Sequence, residues 1–152
     1  MTETENPRPR IVVGVDGSAQ SKLALRWAAR LAAAENARIE AIFTWEMPTT
    51  AYGYYGGDYP TVSEMEKVLV DTIDEVFDGQ RPDGMQLRTV QGGAAATLLD
   101  ASRDALMLVV GSRGHGGFVG LLLGSVSAKV AEHATCPVLV VHEPSHDAKT
   151  TT

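Results

Sequence analysis

Cysteine occurs once in this chain of 152 residues, aromatic residues are 6% of it, and positive charge is in the minority, with 13 Lys and Arg against 19 Asp and Glu. The lone Cys136 excludes an internal disulfide framework and agrees with a reducing compartment; ahead of Pro137, at the entry to an apolar strand, it reads as a packing residue. A formal charge of -6 excludes broad affinity for nucleic acid, which needs a basic face against the phosphates. No apolar run approaches the ~20 residues of a membrane span. The N-terminus, Met1 to Arg10, is polar and lacks an apolar leader, so the expectation is a cytoplasmic protein without membrane contact. Two phosphate motifs are also missing. No glycine-rich loop ends in Gly-Lys-Ser or Gly-Lys-Thr, and no Gly-x-Gly-x-x-Gly follows the first strand, which argues against P-loop hydrolysis and simple dinucleotide binding. His115, His133, His142 and His146 lack metal-ligand spacing, and no nucleophile and base pair up, so neither a metal site nor a catalytic set is assigned.

What is present is a regular alternation of short apolar runs with helical patterns. Ile11 to Val15 is β-branched and ends at Asp16-Gly17, which reads as a buried strand. Ser18 offers an N-cap to a helix that ends near Asn36; its apolar face combines Leu23, Trp27 and Leu31 with Ala24, Ala28 and Ala32. Arg38 to Trp45 is the second strand. Glu46 to Val62, with all four tyrosines, reads as a long loop that either folds over a ligand or stays exposed. Ser63 and Glu66 have capping-box spacing, and the helix they open runs to Asp78-Gly79. Met85 to Val90 is a more polar strand, expected near an edge. Ala94 to Ser102 is a short helix, and Leu106 to Val110 a strand covered on both faces. A helix from Ser125 to about His133 and a strand from Val138 to Val141 complete the pattern. Alternation of this kind implies one α/β domain, a doubly wound parallel sheet with helices on both faces, over residues 10–142, with flexible tails at 1–9 and 143–152.

In such sheets ligands sit beyond the carboxyl ends of the strands, where connections leave in opposite directions. The segment from Gly111 to Gly124 starts there and holds six glycines before the helix at Ser125. Glycines let backbone N–H groups approach an anion, and a helix N-terminus adds unpaired donors and the positive end of a dipole. The dipole alone contributes about 0.3–1 kcal/mol for a nearby charge, so several N–H bonds must supply the rest. A phosphate suits the site. Arg113 can add a charged fork, and the hydroxyls of Ser125 and Ser127 can complete the oxygen shell, although Ser125 also reads as a simple cap and the glycines as a plain surface loop. Asp16, on the same rim, suits ribose or a metal ion bridging phosphates; its alternative is a turn with Gly17.

Gly111-x2-Gly114-x9-Gly124-Ser125 resembles the ATP-binding signature of the universal stress protein family. The resemblance continues through Ile-Val-Val-Gly-Val-Asp-Gly-Ser at residues 11 to 18, Gly-Ser-Arg-Gly-His-Gly-Gly-Phe at 111 to 118, Leu-Leu-Gly-Ser-Val-Ser at 122 to 127 and Cys-Pro-Val-Leu-Val-Val at 136 to 141. It implies a five-stranded sheet in the order 3-2-1-4-5, similar to the adenine nucleotide alpha hydrolase fold, and a homodimer paired through Val138 to Val141. It also implies ATP as ligand, with magnesium or manganese beside it. By position, Gly14 and Val15 flank the nucleoside, Asp16 takes the ribose hydroxyls and Trp45 lies beside adenine. Gly111 and Gly114 admit the phosphates, which Gly124, Ser125 and Val126 bind. The expected role is regulatory, in a stress response, with at most weak ATPase activity. The competing readings are a slow phosphoryl-transfer enzyme, or a dimeric interaction module whose nucleotide site is vestigial.

Overall fold

Five segments, four of them mainly apolar, form strands: β1 (Arg10–Val15), β2 (Arg38–Trp45), β3 (Gln86–Gln91), β4 (Met107–Gly111) and β5 (Val138–Val141). The computed structural model describes residues 7–46, 60–114 and 123–143. Most of the tyrosine-rich loop, most of the two expected tails, and the middle of the glycine segment therefore lie outside the described residues. The strands pair in parallel in the order β3-β2-β1-β4-β5, as the resemblance implies. Ile11, Val12 and Val13 of the central strand are wholly buried. Each such side chain contributes roughly 1.5–3 kcal/mol by leaving water. The pleat sends successive residues to opposite faces. Val13 joins the cluster under α1 (Ala19–Glu35) and α2 (Val62–Phe77), whereas Val12 joins the one under α3 (Ala94–Ala101) and α4 (Ser125–His133).

Helix α1 starts where Ser18 Oγ accepts the Ser21 N–H at 3.2 Å, and stops at Asn36, which takes the left-handed conformation at φ 50°. Its buried face differs from the expected one. Ala24, Leu25, Ala28 and Ala32 are buried, Leu23 and Leu31 lie at the margin, and Trp27 is 41% exposed with the Arg30 guanidinium 4.8 Å from its ring centroid. The alanines let the helix lie close to the sheet, and an indole between them would hold the two apart; the tryptophan instead keeps a cation over its ring.

Helix α2 corrects a second expectation. Its capping box is Thr61 with Glu64, two residues before the Ser63 and Glu66 pair. Glu64 Oε2 accepts the Thr61 N–H at 2.6 Å, and Thr61 Oγ1 accepts the Glu64 N–H at 3.2 Å. Both pairs have the required spacing, and the earlier start gains further backbone bonds, beginning with Met65 N–H to the Thr61 carbonyl at 3.1 Å. The stop at Asp78-Gly79 is as expected, with Asp78 at φ 51°. Polar β3 is an edge strand, and β5 forms the opposite edge.

The chain runs from β1 through α1 to β2 and from β2 through α2 to β3 on one face; it then crosses by α3 to β4 on the other. The connections following β1 and β4 thus diverge, opening a crevice between their carboxyl ends.

Candidate functional site

A cavity of about 600 Å³ occupies that crevice. Ten of the eleven residues expected at the site line it: Gly14, Val15 and Asp16 after β1, Trp45 at the end of β2, Gly111 and Gly114 after β4, and Gly124, Ser125, Val126 and Ser127 at the start of α4. Arg113 does not line it; its side chain is exposed, and its backbone N–H is donated to Gln20 Oε1 at 2.6 Å.

The four helices among the described residues begin in different ways. Helices α1 and α2 are capped by Ser18 and Thr61 side chains, whereas α3 and α4 begin at glycines and have no side-chain cap. At α4 the Gly124 N–H reaches the Ser112 carbonyl at 2.6 Å, and the first intrahelical donor is the Ala128 N–H, 3.0 Å from the Gly124 carbonyl. The backbone N–H groups of Ser125, Val126 and Ser127 are left without intrahelical acceptors, and all three residues line the cavity. The positive end of the α4 dipole adds to them. At α3 the surroundings differ, because Glu46 Oε1 lies 3.4 Å from where a Cβ on Gly93 would sit. A carboxylate beside that terminus already supplies negative charge, so of the two uncapped helix starts α4 offers an anion the more favourable field.

The Ser127 side chain is committed to the protein. It is 2% exposed, and its hydroxyl reaches the Ser112 carbonyl at 2.7 Å and the Gly124 carbonyl at 3.1 Å, so only its backbone N–H remains for a ligand. Asp16 Oδ1 accepts the Ser18 N–H at 2.9 Å, which makes the turn that was the alternative reading of this residue. Its other oxygen lies where a Cβ on Gly114 would fall, so any larger residue at 114 displaces the carboxylate. At Gly111, a Cβ would stand 2.9 Å from the Cβ of Gln20 and 3.1 Å from its carbonyl carbon. That glycine is required by the approach of α1.

The structure adds residues that the sequence reading did not assign to the site. Ser18, Ser21, Thr44 and Glu46 supply polar groups to the wall, and Ile42, Leu98 and Leu123 supply apolar surface. The Ser18-x-x-Ser21 spacing at a strand-to-helix junction was a readable signal for the first two. Among the described residues, no group of three or more His, Cys, Asp or Glu is arranged to hold a metal ion, and no helix is long and apolar enough to cross a membrane.

The universal stress protein family model matches residues 7–142. A universal stress protein of Mycolicibacterium smegmatis is 34% identical over 155 residues, covering 91% of this chain and 51% of that protein. The chain spans about half the length of the curated relatives it matches. Among solved structures, a universal stress protein in complex with cAMP is 29% identical, with a TM-score of 0.66 over 90% of this chain and 98% of that one. The Lactobacillus plantarum protein UspA, at 18% identity, shares the fold with a TM-score of 0.68 over 90% of this chain and 99% of its own.

Proposed function

The chain belongs to the universal stress protein family, and from that premise we propose that it binds an adenine nucleotide, ATP foremost, in the cavity between β1 and β4. One observation carries the reading: three backbone N–H groups at the start of α4 without intrahelical acceptors face a cavity that also holds Asp16 and Trp45. A neutral apolar ligand would leave those donors unpaired, whereas phosphate oxygens satisfy them with charge-assisted bonds. The phosphates lie at Ser125 to Ser127, the ribose meets Asp16, and the base extends toward Trp45 and the end of β2. Arg113, exposed at the rim, reaches only the outermost phosphate, and magnesium or manganese arrives with the phosphates. The cAMP complex of the relative at 29% identity supports an adenine nucleotide as the ligand class.

The role is regulatory, in a cytoplasmic stress response, and any hydrolysis is slow. Asp16 and Glu46 are the only titratable side chains among the described residues lining the cavity, and Asp16 is already engaged by the Ser18 N–H. The chain pairs with a second copy through Val138 to Val141; the edge position of this strand and the partly exposed side chains of Val138, Leu139 and Val140 support that assignment. Calorimetric titration with ATP, AMP and cAMP in the presence of magnesium tests the reading. Affinity in the micromolar range is expected, and no binding at millimolar nucleotide overturns it. Light scattering tests the dimer, which a monomer at high protein concentration overturns.

A further inference from the structure

Gln20, the second residue of α1, lies outside the cavity wall and outside every motif in the sequence. Its Oε1 accepts two hydrogen bonds from across the fold, from Ser112 Oγ at 2.7 Å and from the Arg113 N–H at 2.6 Å. Ser112 is 2% exposed, and its carbonyl in turn accepts the Gly124 N–H at 2.6 Å and the Ser127 hydroxyl at 2.7 Å. Gly111 packs directly on Gln20. One amide oxygen therefore connects α1, the end of β4 and the start of α4.

We infer that Gln20 is a positioning residue for phosphate binding: through Ser112 and Arg113 it holds the end of β4 against the start of α4, so that the α4 donors are in place before a ligand arrives. The inference rests on the nucleotide reading above. A junction held in place in advance spares the ligand the entropy of ordering it. The neutral amide has a further consequence. Aspartate or glutamate would accept the same two bonds but would place a negative charge beside the phosphates.

Two variants test this. Gln20→Leu removes the acceptor at similar size; AMP affinity falls about tenfold, as expected for two lost neutral hydrogen bonds, while adenosine, which has no phosphate, binds as before. Gln20→Glu restores the acceptor, and a carboxylate near a helix N-terminus does not destabilise α1. It returns AMP to within about threefold of the wild type and leaves ATP weaker by about tenfold, since repulsion grows with phosphate charge. Unchanged AMP binding in Gln20→Leu overturns the inference, and so does an equal loss of AMP and adenosine, which would mark a general packing role. If the wild type binds no nucleotide, the nucleotide reading fails, and amide exchange decides whether Gln20 holds the junction: faster exchange at Arg113 in Gln20→Leu upholds that role, and unchanged exchange overturns it.

Discussion

In the amino-terminal half of the sheet, Glu40 is 3% exposed and held between Arg10 at 3.2 Å and Arg88 at 2.7 Å, while Arg10 also donates to the Ala101 carbonyl at 2.6 Å. At the carboxyl ends of β1 and β4, by contrast, a helix begins without a cap, and its first N–H groups look into a cavity. Both regions bring polar groups to the same parallel sheet. In the first, every partner is supplied by the chain, so the cluster ties β1, β2, β3 and the end of α3 together. In the second, the first N–H groups of α4 have no acceptor within their own helix. A buried charge that is fully paired is architecture, whereas preorganised donors facing open space define a ligand of the opposite polarity.

The contrast breaks most visibly at Glu40. Glu40→Ala leaves Arg10 and Arg88 without their shared partner; because Arg88 is half exposed and reaches water, the cost is about 2–3 kcal/mol, below the usual range for a broken buried pair. Chemical denaturation measures it, with nucleotide affinity expected to hold; unchanged stability would remove the structural role given to this cluster. Ser125→Pro probes the opposite end. Proline at the first helical position is well tolerated, and the extended Gly124 before it, at ψ 171°, accommodates the ring, but one donor N–H is lost. A lost hydrogen bond to a charged group weakens AMP by about 1.5–3 kcal/mol, more than tenfold. Calorimetry with AMP checks this, and retained affinity at unchanged melting temperature contradicts the α4 phosphate site.

Thr61→Ala sharpens the comparison, because α2 has a cap that α4 lacks. Loss of that cap costs about 1 kcal/mol of stability and leaves AMP affinity unchanged, since this helix end is satisfied by its own side chains. Arg113→Ala carries the smallest effect. ATP weakens about threefold and AMP not at all, and the difference disappears as salt screens the exposed guanidinium. An equal loss for both nucleotides would move Arg113 inward, to the first phosphate.

Much of this arrangement is legible in the sequence. The apolar runs gave the strands to within a residue or so, Asn36 and Asp78-Gly79 marked their helix ends, and the glycine spacing pointed to the pocket. These are local signals, carried by residues that act on their immediate neighbours. Trp27 lies outside the buried face because a row at helical spacing does not reveal which flank the sheet will accept. The α2 cap shifted because two hydroxyl and glutamate pairs overlap, and local pattern alone does not rank them. Gln20 was invisible, because its meaning lies in a serine 92 residues away. Glu40 was likewise silent, since its arginines are 30 and 48 residues distant.

The sequence by itself determined the alternation of strands and helices, the parallel sheet that follows from it, and the position of a glycine-rich junction before α4. Each of these depends on periodicity, capping and backbone freedom within a few residues. Tertiary structure alone decided which polar groups are closed off and which stay open, because satisfying a donor requires an acceptor brought to about 3 Å, and only the folded chain brings distant residues that close.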